Sequence, residues 1–181
     1  EWSEHTIGEG SLQVEGLPGA CEVETEVLIR PAANKALEGL YASKGILCTQ
    51  CEAEGFRRIT WFLDRPDVMA VYEVELIGDP EAFPVMLSNG NTAEDRRLDD
   101  GRRLVRYVDP FKKPSYLFAL VAGQLSCHAG EFTTASGRKV QLEIWTEAKN
   151  ADRCEHALES LKQAMRWDEE EYGREYDLDI F

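Results

Sequence analysis

Positive charge is scarce in this chain. Lys and Arg number 20 against 34 Asp and Glu, a formal net charge of -14, and no Lys/Arg block interrupts the excess. Such a surface repels phosphate backbones, which argues against nucleic acid as a partner. An acidic surface serves solubility first, and it also suits a cationic ligand such as a protonated amine. Long hydrophobic runs are missing as well: the longest, Tyr116 to Leu125, is about half of a membrane span. The opening residues Glu1-Trp2-Ser3-Glu4-His5 have neither a basic n-region nor an apolar h-region, so they do not form a signal peptide. Cysteines are few and odd in number, five at irregular spacing, which favours reduced thiols and a cytoplasmic location over a disulfide scaffold. The three histidines, His5, His128 and His156, fall in no catalytic motif, so a histidine-based catalytic centre has little support. No Gly-x-Ser-x-Gly, Gly-rich phosphate loop or His-Glu-x-x-His occurs.

What is present reads as strands joined by turns. A chain of 181 residues is one domain or two small units, and buries roughly 70% of its unfolded surface without staples. Between Ser11 and Pro31, Cys21, Val23, Thr25 and Val27 alternate with Glu22, Glu24 and Glu26, the pattern of a half-buried antiparallel strand. Ala33 to Leu40 suits a short turn of helix, and Ile59 to Leu63 is β-branched and aromatic. Val68 to Ile77 alternates again, with Ala70, Tyr72, Val74 and Leu76 opposite Glu73 and Glu75. Pro84–Leu87 and Leu104–Val108 are expected strands, with the Asn89-Gly90 turn and a charged run, Glu94 to Arg103, that reads as a solvated loop or hairpin tip, between them. Ser115 to Gln124 is apolar enough for a strand covered on both faces.

The texture changes near residue 128. A hairpin is expected through Ser136-Gly137, then a helix opened by Asp152 and Glu155 as a capping box. Its apolar stripe is Cys154, Leu158, Leu161 and Met165, and Gly173 suits its end. Tyr176 to Phe181 reads as one more strand. The expected fold is mainly β: an antiparallel sandwich or saddle-like domain over residues 1–128, then a truncated α/β start over 129–181.

One stretch concentrates polar side chains beside turn chemistry: Thr49-Gln50-Cys51-Glu52-Ala53-Glu54-Gly55, followed by Phe56-Arg57-Arg58. It reads as a recognition loop. Cys48-x-x-Cys51 within it is a single pair, whereas structural zinc takes four ligands, and Cys127-His128 and Cys154-x-His156 do not repeat a knuckle spacing. A redox role needs the pair at a helix N-terminus, and the neighbours here are strand-like. On an extended segment Glu52 and Glu54 would point to the same side, an anionic patch better at holding a cation than at dividing acid and base roles. Residue chemistry alone stops at an acidic β-rich module with an anionic loop.

The residues Cys48 to Arg57, together with Leu63-Asp64-Arg65-Pro66-Asp67-Val68, Leu87-Ser88-Asn89-Gly90-Asn91, Lys113 to Gly123 and Tyr176-Asp177-Leu178-Asp179-Ile180, resemble the bacterial zinc aminopeptidase N family. Pro31-Ala32-Ala33-Asn34 and Ala36 to Tyr41 fit too, so the likeness runs in order from about Pro31 to Phe181. The resemblance implies a chain that starts inside a β-rich N-terminal domain, without its first strands, and stops just inside a thermolysin-like catalytic domain. It implies zinc in the full-length enzyme and none bound by this segment, which holds no catalytic residue or metal ligand. Peptide substrates, met through their free N-terminus, and the remainder of the catalytic domain would be its partners. The family's amine-binding Gln and Glu fall on Gln50 and Glu52; Glu54 is the weaker candidate, with an ion pair to Arg57 or Arg58 as its other reading, and Cys51 packs beneath the loop. The rival reading is a non-enzymatic β-rich protein-interaction module.

Overall fold

The computed structural model describes residues 5–181; Glu1 to Glu4, part of the signal-peptide reading, lie outside them. A small hairpin, β1 (His5–Gly8) and β2 (Ser11–Val14), comes first. Strands β3 (Gly39–Ser43), β4 (Ile46–Gln50), β6 (Val85–Ser88) and β9 (Leu120–Gly123) form an antiparallel sheet in the order β3-β4-β9-β6. A second antiparallel sheet, β5-β8-β7, contains β5 (Ala70–Gly78), β8 (Arg103–Lys113) and β7 (Asn91–Arg97). The two pack face to face through Met86 and Ala122 of the first and Val105 and Tyr107 of the second. That is the sandwich expected from the alternating pattern, with apolar side chains of both inner faces closing the core.

A separate core follows. The hairpin β10 (Ser126–Thr133) and β11 (Lys139–Thr146) supports the helix α1 (Cys154–Tyr172), joined by Phe132, Val140, Leu142, Leu158 and Met165. The stripe read from the sequence is the buried face, because residues spaced at i, i+4, i+7 and i+11 share one side of a helix. Gly130 lets it approach: a Cβ there would meet Leu158 Cδ2 at 2.7 Å. Gly173 ends the helix in the left-handed conformation, φ 60°, as expected of a C-terminal glycine.

Several expectations need correction. Residues 15–30 hold no strand, and Leu28 is 91% exposed; alternation marks two faces but supplies no partner strand. Ala33 to Leu40 contains only the end of a 3-10 turn, Pro31–Ala33, before β3 begins. Ile59 to Leu63 is irregular after a 3-10 turn at Phe56–Arg58. The charged run Glu94 to Arg103 includes a hairpin tip, residues 98–102, but its first residues up to Arg97 are strand β7, paired with β8, and Asn89-Gly90 leads from β6 into a different sheet instead of closing a hairpin. Arg103 pairs with Asp95 at 2.6 Å and Arg106 with Glu73 at 2.9 Å, so opposite charges face each other across neighbouring strands. The apolar run from Ser115 begins as a 3-10 turn, Ser115–Leu117, and only Leu120–Gly123 is strand. No capping box forms: a 3-10 segment, Ala148–Arg153, precedes α1, whose cap Arg153 makes no side-chain bond. Residues 179–181 start to pair with β11, in parallel, through Gln141 N–H to Asp179 O at 2.8 Å and Phe181 N–H to Gln141 O at 2.8 Å.

Candidate functional site

The polar stretch begins where β4 ends. Gln50 is the last residue of that strand, and the chain then turns tightly, with Gly55 N–H donating to Cys51 O at 2.8 Å. The Glu52–Ala53 peptide bond is cis. Two glycines make the turn fit. Gly55 faces the Gln50 carbonyl so closely that a Cβ would lie 2.2 Å from its oxygen, and Gly39, at φ +71°, would meet Arg58 Cβ at 2.9 Å. Side chains at either position would push the loop off β3.

Below the loop lies an aromatic base. Phe56 is buried and makes edge-on contacts with Phe62 and Phe118, at 5.1 and 5.2 Å between ring centres. Such pairs contribute about 0.5–1.5 kcal/mol each beyond burial. Cys51 also points inward, 3% exposed. Burial, and then the charge of Asp64, pushes its thiol up to about 11, so it is a packing group and not a nucleophile. Cys48 sits opposite Tyr41 across the β3–β4 pair. Among the described residues no three His, Cys, Asp or Glu side chains gather as a metal-ligand set, and the residues present do not fit a zinc site.

Gln50 and Glu52 are brought together on the exposed surface. The Gln50 amide nitrogen donates to the Glu52 carbonyl at 3.1 Å. Only the NH2 end of an amide can satisfy a carbonyl, so the orientation is fixed and Gln50 Oε1 is left as an acceptor. Glu54 pairs with Arg57 at 3.4 Å, as expected. The turn removes the extended geometry that would set Glu52 and Glu54 side by side. Among the described residues no cation pairs with Glu52, so the loop presents one neutral and one anionic acceptor.

The sequence reading missed the groups behind the loop. Arg57 donates to Asp64 Oδ2 through its backbone N–H at 2.9 Å and its Nε at 3.1 Å, and Ser115 Oγ donates to Asp64 Oδ1. Burial raises the Asp64 pKa, but the bonds from Ser115 and Arg57 outweigh it and hold the carboxyl below its usual range. Asp64 and Ser115 both lie in stretches that carry the family resemblance, Leu63 to Val68 and Lys113 to Gly123, but nothing in either stretch marks the two as partners. His128 also has a partner that its sequence setting does not show: its Nε2 lies 2.9 Å from Glu155 Oε2.

The chain and its architecture have known relatives. The peptidase M1 N-terminal domain pattern matches residues 11–117. The aminopeptidase N of Caulobacter vibrioides is 53% identical over 98% of this chain and 20% of its own length. That of Escherichia coli K12 is 51% identical over 99% of this chain and 21% of its own. Among solved structures, Legionella pneumophila aminopeptidase A in complex with aspartic acid superposes with a TM-score of 0.77 at 40% identity, covering 81% of this chain and 17% of that one. This chain therefore spans about one fifth of the length of the curated relatives it matches. With more than half of its residues under that pattern, the chain belongs to the peptidase M1 family, on its aminopeptidase N branch.

Proposed function

We propose that this chain is the amine-recognition segment of a zinc-dependent aminopeptidase that removes N-terminal residues from peptides. The observation that carries the reading is the pairing at the loop: Gln50 uses its NH2 on the Glu52 carbonyl, which leaves Gln50 Oε1 and the Glu52 carboxylate as adjacent acceptors. A protonated α-amine offers three donors and no acceptor, so it is complementary to such a pair, and the carboxylate makes one of the bonds charge-assisted. Fixing the substrate by its free N-terminus makes the reaction an exopeptidase one. The aspartic acid held by the Legionella relative carries the same ammonium group. Kinship with aminopeptidases favours this reading over a non-enzymatic interaction module.

In this reading the zinc ion is held by parts of the full-length enzyme outside these residues, where it supplies Lewis-acid chemistry at the scissile carbonyl. This chain binds and orients. Residues up to about 128 form the N-terminal domain, and 129–181 begin the catalytic one. The start of β10 at Ser126 supports a boundary close to that position. Five free thiols suit a cytoplasmic setting.

Glu52→Ala in the full-length enzyme tests the assignment. Loss of one charge-assisted bond to the amine removes about 1.5–3 kcal/mol, which raises KM for aminoacyl substrates roughly 10- to 150-fold with little change in kcat. Kinetics equal to the wild type would reject the role of Glu52.

A further inference from the structure

The amine-recognition reading uses Gln50 and Glu52 but leaves a buried polar cluster behind them without a role. Asp64 is 6% exposed and Ser115 only 1%. An anionic carboxylate withdrawn from water persists only when donors fill its lone pairs. Here three do: Ser115 Oγ on Oδ1, and the Arg57 backbone N–H and Nε on Oδ2. Arg57 Nη2 also donates to the Asp64 carbonyl at 2.7 Å. Its Nη1 reaches back into the loop, 3.4 Å from Glu54.

The placement of this cluster follows from the chain path. One leg of the loop is the end of β4, where Thr49 Oγ1 accepts the Leu120 N–H at 2.9 Å. The other leg returns through Arg57 to Asp64, which is bound to Ser115. Leu120 and Ser115 belong to one short segment, the 3-10 turn and strand that run alongside β4. Both legs are therefore fastened to the same neighbour, and the residues between them include the two amine acceptors. A loop pinned at one end only would share its motion with Glu52. Pinned at both, it presents its acceptors preorganised, which lowers the ordering cost of binding.

We propose that Asp64 is a positioning residue for substrate amine recognition: through Arg57 and Ser115 it fixes the 51–58 loop so that Gln50 and Glu52 face the incoming ammonium group. The inference rests on the amine reading of those two residues. Asp64 touches no substrate, and its part is geometric.

The test uses the full-length enzyme and two competitive inhibitors identical except that one carries the α-ammonium group and the other hydrogen. The ratio of their inhibition constants isolates amine recognition from the rest of the site. Glu52→Ala is run in parallel with Asp64→Asn and Ser115→Ala. An amide keeps the size of the carboxylate but offers one acceptor oxygen, so Ser115 or Arg57 loses its partner. Asp64→Asn is expected to weaken the amine-bearing inhibitor roughly tenfold and leave the des-amino one within about twofold, the effect of misplacing a hydrogen-bonded contact. In the Glu52→Ala background its effect on the ratio should be smaller than in the wild type, because only Gln50 is left for the loop to position. Should Asp64→Asn fail to fold, Ser115→Ala carries the test, with an expected loss of roughly three- to fivefold confined to the amine-bearing inhibitor.

Outcomes separate the two ideas. If Glu52→Ala leaves the ratio unchanged, the amine reading itself falls, and the positioning role with it. If Glu52→Ala collapses the ratio while Asp64→Asn, or Ser115→Ala in its place, leaves it at the wild-type value or weakens both inhibitors equally, Asp64 is a structural residue only and the proposal is overturned.

Discussion

Gly55 is the point at which a single methyl group would disturb the loop most. Its φ of -77° and ψ of -19° are right-handed helical values, so alanine meets no backbone penalty there. The obstacle is space. A Cβ would lie 2.2 Å from Gln50 O, 3.0 Å from Cys51 Cα and 3.0 Å from Gly39 N. All are backbone atoms, so no side chain can rotate away. Ordinary non-bonded separations start near about 3.5 Å, so the loop must retreat by about 1 Å, and overpacking of this kind costs about 1–3 kcal/mol. Gly45, in the turn between β3 and β4, provides the converse control: φ is +84° and nothing lies within 4 Å. Gly45→Ala carries only the left-handed penalty, about 1–2 kcal/mol. Both variants should therefore shift a urea midpoint by similar amounts in the full-length enzyme. Only Gly55→Ala displaces the Gln50 carbonyl, and with it the amine acceptors, so it alone should raise KM for aminoacyl substrates, roughly ten- to a hundredfold for a 1 Å error. Equal KM values in the two variants would refute the reasoning.

Three further outcomes follow from the same geometry. Leu158, 3% exposed and seated over Gly130, should cost about 2–5 kcal/mol on replacement by alanine; a urea midpoint within error of the wild type would mean that α1 is not anchored there. Cys51, its thiol pushed up to about 11 by burial and by Asp64, should resist alkylation in the native protein at pH 8 and react only on unfolding. Exposed Cys21 should label at once, and peptide mapping reads both. Asp64 holds its carboxyl below the usual range, so the folded state binds its proton more weakly than the unfolded chain does. Its stabilisation is complete above the unfolded value of about 3.9 and fades as pH falls through the lower folded one. The stability gap between wild type and Asp64→Asn should therefore narrow below about pH 4, and a gap constant to pH 2 would contradict the assignment.

The parts of the fold legible in the sequence are those whose partner surface lies on the same element. Val68 to Ile77 reads correctly as β5 because burial alternates residue by residue along it. The α1 stripe is legible for the same reason. Cys21 to Val27 alternates as cleanly and forms no strand, since a strand also needs a neighbour and a local pattern cannot supply one. Glu94 to Arg97 fails in the opposite sense. Its charges suggest a solvated loop or hairpin tip, yet it is a strand whose partner carries Arg103 and Arg106, and that register is invisible before folding.

The candidate site divides along the same line. Residue chemistry pairs Glu52 with Glu54, and Gln50 joins Glu52 only through the family motif, whereas Asp64 and Ser115 meet across 51 positions of sequence. Side-chain type is not enough to separate function from support. Asn89 donates to Leu117 O at 3.0 Å and accepts from Ala119 N–H at 2.6 Å. Asn91 donates to Asp179 Oδ2 at 3.0 Å and accepts its backbone N–H at 2.9 Å. Each amide is occupied at both ends and fastens two parts of the chain together. Gln50 is an amide in an equally distinctive motif, but among the described residues only its NH2 end is engaged. What sets it apart is the acceptor left over, beside a carboxylate that pairs with no cation among the described residues, and that difference exists only once the chain has folded around it.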